Sequence, residues 1–307
     1  MMFNPLQQIQ IVQAEVFSSV PAKFRKLQRT AWSDANRHGI EVDCFLEGPS
    51  FDQQGNLWVV DIPFGRIFRI DPDGQWEVAA QYAGWPNGLK FHKDGRAFIA
   101  DYRRGLMTLD VRRGEVSAFL ETAYSESFKG VNDLHFSPNG DLYFTDQGQT
   151  GIADPTGRVY RLRTNGDLNR LVSNAPSPNG ITFNAATNHL YVAVTRGQQI
   201  WRLPFMADGT PSKVGVALQL SGGTGPDGIE LDDEGGLVVC HLGIGVWRYD
   251  PRGLPTHLIV SPDNTLMTNV AFGGDDHKTL FITDSLNGRI LRARLPVAGG
   301  AMYGLAN

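Results

Sequence analysis

Six segments of this chain share one frame, and that repetition restricts the fold more than any other feature. They read "EGPSFDQQGNLWVVD" (47–61), "NGLKFHKDGRAFIAD" (87–101), "NDLHFSPNGDLYFTD" (132–146), "NGITFNAATNHLYVAVT" (179–195), "DGIELDDEGGLVVCH" (227–241) and "NVAFGGDDHKTLFITD" (269–284). In each, a polar residue leads a short apolar strand, a tight turn follows, and a second apolar strand ends on a polar residue. The lead residues are Glu47, Asn87, Asn132, Asn179, Asp227 and Asn269, spaced 40, 45, 47, 48 and 42 residues apart.

Each frame runs on into a third strand, such as "GRIFRID" (65–71) or "GVWRYD" (245–250), and most into a fourth, such as "QWEVAA" (75–80) or "PTHLIV" (255–260). The turns "DQQGN", "HKDGR" and "SPNGD" carry residues that tolerate positive φ. Four short antiparallel strands per 40–48 residues, repeated six times, predict an all-β six-bladed propeller, with residues 1–307 forming one domain. A β-sandwich needs no such regular period, and a parallel β-helix has much shorter rungs. The last unit, 269–296, supplies only three strands, and "IQIVQAEVF" (9–17) is a strand pattern without a blade. It is expected to pair with 288–294 and close the ring, because an open ring exposes sheet edges. Residues 21–38 read as a helical extension between this strand and the first blade.

In a propeller the first strand of each blade lines the central channel, so the six lead residues should converge at one rim. Two carboxylates and four amides then share a narrow space, and without a counter-charge the carboxylates would raise each other's pKa. A divalent cation resolves the conflict, and hard oxygen donors suit calcium, magnesium or manganese. For any single Asn-Gly pair a turn is the simpler reading. "SPNG" occurs at both 137–140 and 177–180, once inside a hairpin turn and once at a lead position. The shared position across repeats favours the channel, as does Glu47, which no turn requires.

Composition excludes other classes. Charged residues are 20% and apolar residues 41%, as in globular proteins, and the net charge of −4 argues against a nucleic-acid binder. The densest basic run, "KFRKLQR" (23–29), reads as a solvated helix face. No stretch approaches the length of a membrane span, and the start "MMFNPLQQIQIVQ" lacks the basic and apolar regions of a secretory leader. The two cysteines, Cys44 and Cys240, read as buried thiols rather than a disulfide framework. Together these features point to the cytoplasm, with no membrane or nucleic-acid partner.

The motifs "LEGPSF", "GVNDLHFSPNGDLYFTD", "SPNGITF" and "GPDGIELD", in this order, resemble the senescence-marker-protein/regucalcin/gluconolactonase family over about 41–296. The resemblance implies one divalent metal in the channel, calcium first and magnesium, manganese, zinc or iron(II) as alternatives. Its ligands fall on Glu47, Asn179 and Asp227, with Asn132 on or close to the metal. It also implies a lactone hydrolase, with sugar lactones as common substrates and organophosphates as a second class. Where the animal members carry an arginine that contacts sugar hydroxyls, this chain has Gly130 beside Lys129, so that sugar preference does not carry over.

On this reading the metal polarises the lactone carbonyl while Asp227 acts as general base or orients water, with pure ligation as its alternative role. The second strands end on Asp61, Asp101, Asp146, Thr195, His241 and Asp284, which should frame the pocket mouth. Asn132, Asn87, Lys129, Asp101, Asp146 and His241 are the substrate-binding candidates. Asp133 and Asn269 are candidates to support the ligands from behind. The loop 147–157 is a candidate cover. A phosphotriesterase at the same site, or a non-catalytic calcium- or protein-binding propeller, is the alternative. The expected partner is a small lactone, and the expected assembly a monomer or weak homo-oligomer.

Overall fold

The structure is a computed structural model that describes residues 8–261 and 263–305. The first seven residues, on which part of the leader reading rests, lie outside the described residues. Six sheets of four blade strands are arranged around one axis, as the repeat requires. The first blade is Leu46–Phe51, Leu57–Asp61, Arg66–Ile70 and Trp76–Gln81, paired antiparallel in that order. The inner strands of the other five are Pro86–Phe91, Val131–Phe136, Pro178–Asn184, Pro226–Leu231 and Met267–Gly273. They are largely buried, with their two faces against the neighbouring blades and their free edge toward the axis.

The core is divided into six apolar wedges, one between each pair of adjacent blades. The wedge between blades one and two packs Val60, Ile67 and Leu89 against Ile99 and Met107. The wedge between blades six and one packs Phe281 and Ile290 against Leu46, Leu57 and Phe68. Burying one such side chain stabilises the fold by about 1.5–3 kcal/mol, so every blade is held from both sides.

Ring closure by the amino-terminal segment takes a form more elaborate than one strand over 9–17. Glu15–Ser19 pairs antiparallel with Arg289–Arg294 as the outer strand of the last blade. Gln10–Gln13 instead pairs in parallel with Pro255–Val260 and adds a fifth strand to blade five. Ala14, buried in the wedge between these blades, marks the crossing, so one short segment staples two blades.

The continuous helix expected over 21–38 does not form. A 3-10 turn covers Ala22–Phe24, an extended stretch follows, and the α-helix is only Ala31–Asn36. Two competing interactions account for this. Gln28 and Val42 exchange backbone hydrogen bonds, each 3.0 Å, which hold the chain extended on either side. Arg25, read as part of a helix face, forms a two-pronged ion pair with Asp43. Residues 28–42 therefore make a closed excursion, an Ω-loop, with the short helix at its tip. Thr30 and Ser33 form a reciprocal capping box that fixes the helix start.

Candidate active site

The six lead residues all sit at the same end of the inner strands, and a shared distortion aims them. Each inner strand slips register against its neighbour at the lead position: between Glu47 and Ser50, Pro86 and Gly88, Val131 and Leu134, Pro178 and Ile181, Pro226 and Ile229, and Met267 and Asn269. A bulge of this kind re-aims a side chain that regular pleating would direct elsewhere.

The glycine after most lead residues has a packing role. A Cβ at Gly180 would lie 2.4 Å from the Asp227 carbonyl oxygen, and one at Gly48 2.5 Å from that of Asn87. At these glycines one lead segment lies against the next too closely for a side chain. The two "SPNG" copies show the contrast. Gly140, in the hairpin, has φ +87°, whereas Gly180, at the lead position, needs no left-handed backbone.

The lead residues meet in a pocket of 140 Å³ on the axis, lined by Glu47, Asn87, Asn132, Asn179 and Asp227. Its walls add Trp32, Asn36, Phe45, Ile62, Tyr102 and Gln147. A larger cavity of 710 Å³ lies at the other end of the inner strands and includes neither lead carboxylate. The small axial pocket, which holds both lead carboxylates, is the candidate site.

Glu47 is buried, and its Oε2 accepts hydrogen bonds from Gly48 N and Asn269 Nδ2, both at 2.9 Å. Burial nevertheless raises its pKa from 4.5 to about 7, with Asp133 adding repulsion. Asp227 is raised well above the ordinary range, first by burial and then by the charges of Glu47 and Asp133. Asn132 donates through Nδ2 to Gln147 Oε1 at 2.9 Å, which leaves its amide oxygen for another partner. Asn269 stands behind Glu47. Asp133 stands deeper, its pKa raised to about 6 by burial against the pull of Lys90. Below it Lys90 Nζ donates to Glu230 Oε1 at 2.5 Å, both side chains buried.

Two carboxylates that oppose each other's ionisation, facing neutral amides, make a donor set that fits a hard divalent cation. Among the described residues no group of three or more His, Cys, Asp or Glu side chains is placed to hold a metal. The fit therefore depends on the amide oxygens of Asn132 and Asn179 beside the two carboxylates.

The residues ending the second strands do not line this pocket. Asp61 accepts from Phe45 N and Asp146 from Gly130 N, both at 2.8 Å, and Asp284 accepts from Leu266 N at 3.1 Å. Each pins the backbone just ahead of its own blade's lead residue. Asp101 accepts from Tyr82 Oη and from Arg103 and Arg104 N. Thr195 donates to the Pro226 carbonyl, and His241 Nε2 donates to that of Gly222. Lys129 is exposed and bonds Thr156. Of the six substrate-binding candidates, the structure brings only Asn87 and Asn132 to the pocket. The other four, Lys129, Asp101, Asp146 and His241, serve the scaffold or solvent instead. The two cysteines are buried and free, as expected.

Residues that the repeat could not point to also reach the pocket. Trp32 and Asn36 come from the tip of the Ω-loop, and Tyr102 from the turn after a second strand. From the loop 147–157, Gln149 Nε2 donates to Asn36 Oδ1 at 3.1 Å and to Tyr102 Oη at 3.0 Å, so this loop does join the cover.

Comparison with known proteins gives consistent results. A sequence model described as the SMP-30/Gluconolactonase/LRE-like region matches residues 45–285. Lactonase drp35 of Staphylococcus epidermidis is 29% identical over 82% of this chain and 76% of its own. Lactonase drp35 of Staphylococcus aureus is 27% identical over 80% and 78%. Among solved structures, the calcium-binding protein regucalcin of Agrobacterium tumefaciens superposes with a TM-score of 0.75 at 23% identity, covering 96% of this chain and 98% of that one. A gluconolactonase of Xanthomonas campestris superposes with a TM-score of 0.73 at 24% identity, covering 92% and 99%. At these identities the structural likenesses speak for the fold. Among the described residues no helix is long and apolar enough to cross a membrane.

Proposed function

The chain belongs to the SMP-30/gluconolactonase/LRE-like family, and from that premise we propose that it is a divalent-metal-dependent hydrolase that opens lactones. Relatives named lactonase and gluconolactonase support lactone hydrolysis. Metal dependence is our own reading, and one observation carries it: Glu47 and Asp227 share a buried pocket with Asn132 and Asn179, and burial and mutual repulsion oppose the ionisation of both carboxylates. The proposed ligands are Glu47, Asn179 and Asp227, with Asn132 on the metal or within one water of it. Calcium is the ion the oxygen donors suit best, and the relative described as calcium-binding agrees.

A bound divalent ion supplies Lewis acidity toward the lactone carbonyl and lowers the pKa of water. The remaining work falls to side chains. Asp227 accepts a proton from the attacking water as its oxygen bonds to the carbonyl carbon. The ring C–O bond then breaks, and the alkoxide oxygen leaves as a hydroxyl with that proton, giving a hydroxy acid. Asn269 and Gly48 N hold Glu47 in one orientation. Gln147 fixes the Asn132 amide by taking its N–H, and is itself fixed by donating to Ser177 Oγ at 2.9 Å.

The test is Asp227→Asn assayed at saturating metal on a panel of lactones, beside wild-type protein stripped with chelator and reloaded. Wild-type activity should vanish on chelation and return on reloading. The variant should lose ~10²–10⁴ in kcat, as on losing a general base. Activity that persists in chelator overturns the metal reading. A kcat near the wild-type value moves the base elsewhere.

A further inference from the structure

The walls of the pocket differ in chemistry from its floor. We infer that this pocket selects a small lactone carrying a short alkyl substituent against polyhydroxylated lactones, through an apolar wall built by the Ω-loop 28–42 together with Phe45, Ile62 and Tyr102. The inference rests on the lactone-hydrolase reading for the identity of the ring.

The first observation is the wall itself. Trp32 is only 7% exposed and packs on Phe45 with ring centroids 4.7 Å apart. Ile62 is 2% exposed, and its N–H donates to the Phe45 carbonyl at 3.1 Å. None of these three belongs to the six wedges that hold the blades together, so they build the pocket wall rather than the inter-blade core. The Tyr102 ring covers the backbone of Gly130, where a Cβ would lie 2.6 Å from a ring carbon. An aromatic face thus occupies the space that a side chain at position 130 would need.

The second observation is that the amide groups of the wall are engaged with one another, which leaves the Tyr102 hydroxyl and the Trp32 indole N–H as its remaining donors. Asn36 donates through Nδ2 to the Trp32 carbonyl and accepts from Gln149 through Oδ1. Gln147 accepts from Asn132 and donates to Ser177. Tyr102 Oη accepts from Gln149. The charged residues lining the pocket are Glu47 and Asp227, both on the axis. A sugar-type hydroxyl turned toward the Phe45 ring, the Ile62 side chain or the face of Trp32 would lose its water and gain no partner there, a cost of roughly tenfold or more in affinity per hydroxyl. A short alkyl group there gains by burial instead.

The third observation is size. The pocket measures 140 Å³, comparable to the roughly 150 Å³ apolar cavities that admit a benzene-sized ring. A five- or six-membered lactone with a short substituent suits that volume.

The test compares kcat/KM of the metal-loaded enzyme for alkyl-substituted γ- and δ-lactones with that for glucono-δ-lactone, in wild type, Trp32→Ala and Ile62→Thr. Calorimetric binding of an alkyl-substituted lactam, whose ring resists hydrolysis, gives a readout independent of turnover. The alkyl lactones should be favoured by about tenfold or more. Either substitution should cut that preference and weaken lactam binding. Ile62→Thr keeps a β-branched side chain, so it remains informative if Trp32→Ala fails to fold. A preference for the sugar lactone, or a preference and lactam affinity unmoved by both substitutions, overturns the inference while leaving the hydrolase reading intact. Lactam binding that depends on Trp32 in a protein that hydrolyses no lactone supports the apolar wall and overturns the hydrolase reading. Absence of both turnover and lactam binding overturns both.

Discussion

Asn269 on the last blade donates its side-chain amide to Glu47 on the first, Nδ2 to Oε2 at 2.9 Å, across the seam where the ring closes. The bond orients a carboxylate of the proposed metal site from behind, and it exists only when the ring is shut. Asn269→Ala should therefore weaken metal affinity by the ~10–100-fold typical of losing such a support. Titration calorimetry with calcium checks this, and an unchanged affinity would free Glu47 of any dependence on the seam.

The pH dependence of metal binding has a definite sign. Burial raises the Glu47 pKa to about 7 in the fold against 4.5 ordinarily, and burial with the charges of Glu47 and Asp133 raises that of Asp227 as well. A raised carboxyl pKa gives stability that is complete below the unfolded value and is lost as pH rises through the folded one. For Glu47 that window runs from about 4.5 to about 7. A divalent ion binds the ionised forms, so it returns what was lost. The calcium-induced rise in Tm should be small at pH 5 and grow toward pH 7.5. His135, whose pKa is lowered to about 3 by burial and then by Lys90, acts in the opposite sense and cancels in this difference. A calcium increment that is flat with pH would contradict the assignment.

The close approach of lead backbones predicts where a methyl group cannot be placed. Gly180→Ala puts a Cβ 2.4 Å from the Asp227 carbonyl, whereas a Cβ at Gly215 meets nothing within 4 Å. Gly180→Ala should cost more than ~2 kcal/mol by chemical denaturation, and Gly215→Ala should fall within about 0.5 kcal/mol of wild type. Similar effects from both would remove the packing explanation for the repeated glycine.

Truncation tests the closing staple. Deleting residues 1–20 removes the outer strand of the last blade, the parallel strand on blade five, and the buried Ala14 and Val20. The exposed edges of Arg289–Arg294 and Pro255–Val260 should drive aggregation or lower Tm by several degrees, as read by light scattering and calorimetry. A truncated chain that stays monomeric with unchanged melting would place closure elsewhere.

What the sequence made legible is what recurs. Glu47 and Asp227 stand out because six copies of one frame put a polar residue at the same place, and the structure brings five of the six lead residues to one pocket, with Asn269 behind them. The second-strand ends recur as well, but recurrence does not say which way a side chain turns. Asp61 and Asp146 turn back to bond the backbone ahead of their own inner strand, a contact set by hairpin geometry. The stretch 21–38 misled for another reason. Its composition suits a helix, yet the Gln28–Val42 bridge and the Arg25–Asp43 pair involve residues 14 and 18 positions apart, which no local pattern shows. Trp32 reaches the pocket through that same non-local clasp, so its place was hidden with it.

The most direct measurement is the divalent-metal content and calcium affinity of purified wild-type protein beside Glu47→Gln. The substitution keeps the shape and one oxygen donor while removing half of the anionic charge at the axis. Wild type should bind one calcium ion per chain, and Glu47→Gln should bind at least ~100-fold more weakly while melting as a folded propeller. Equal metal content and affinity in the two proteins would contradict a metal held by Glu47 and Asp227.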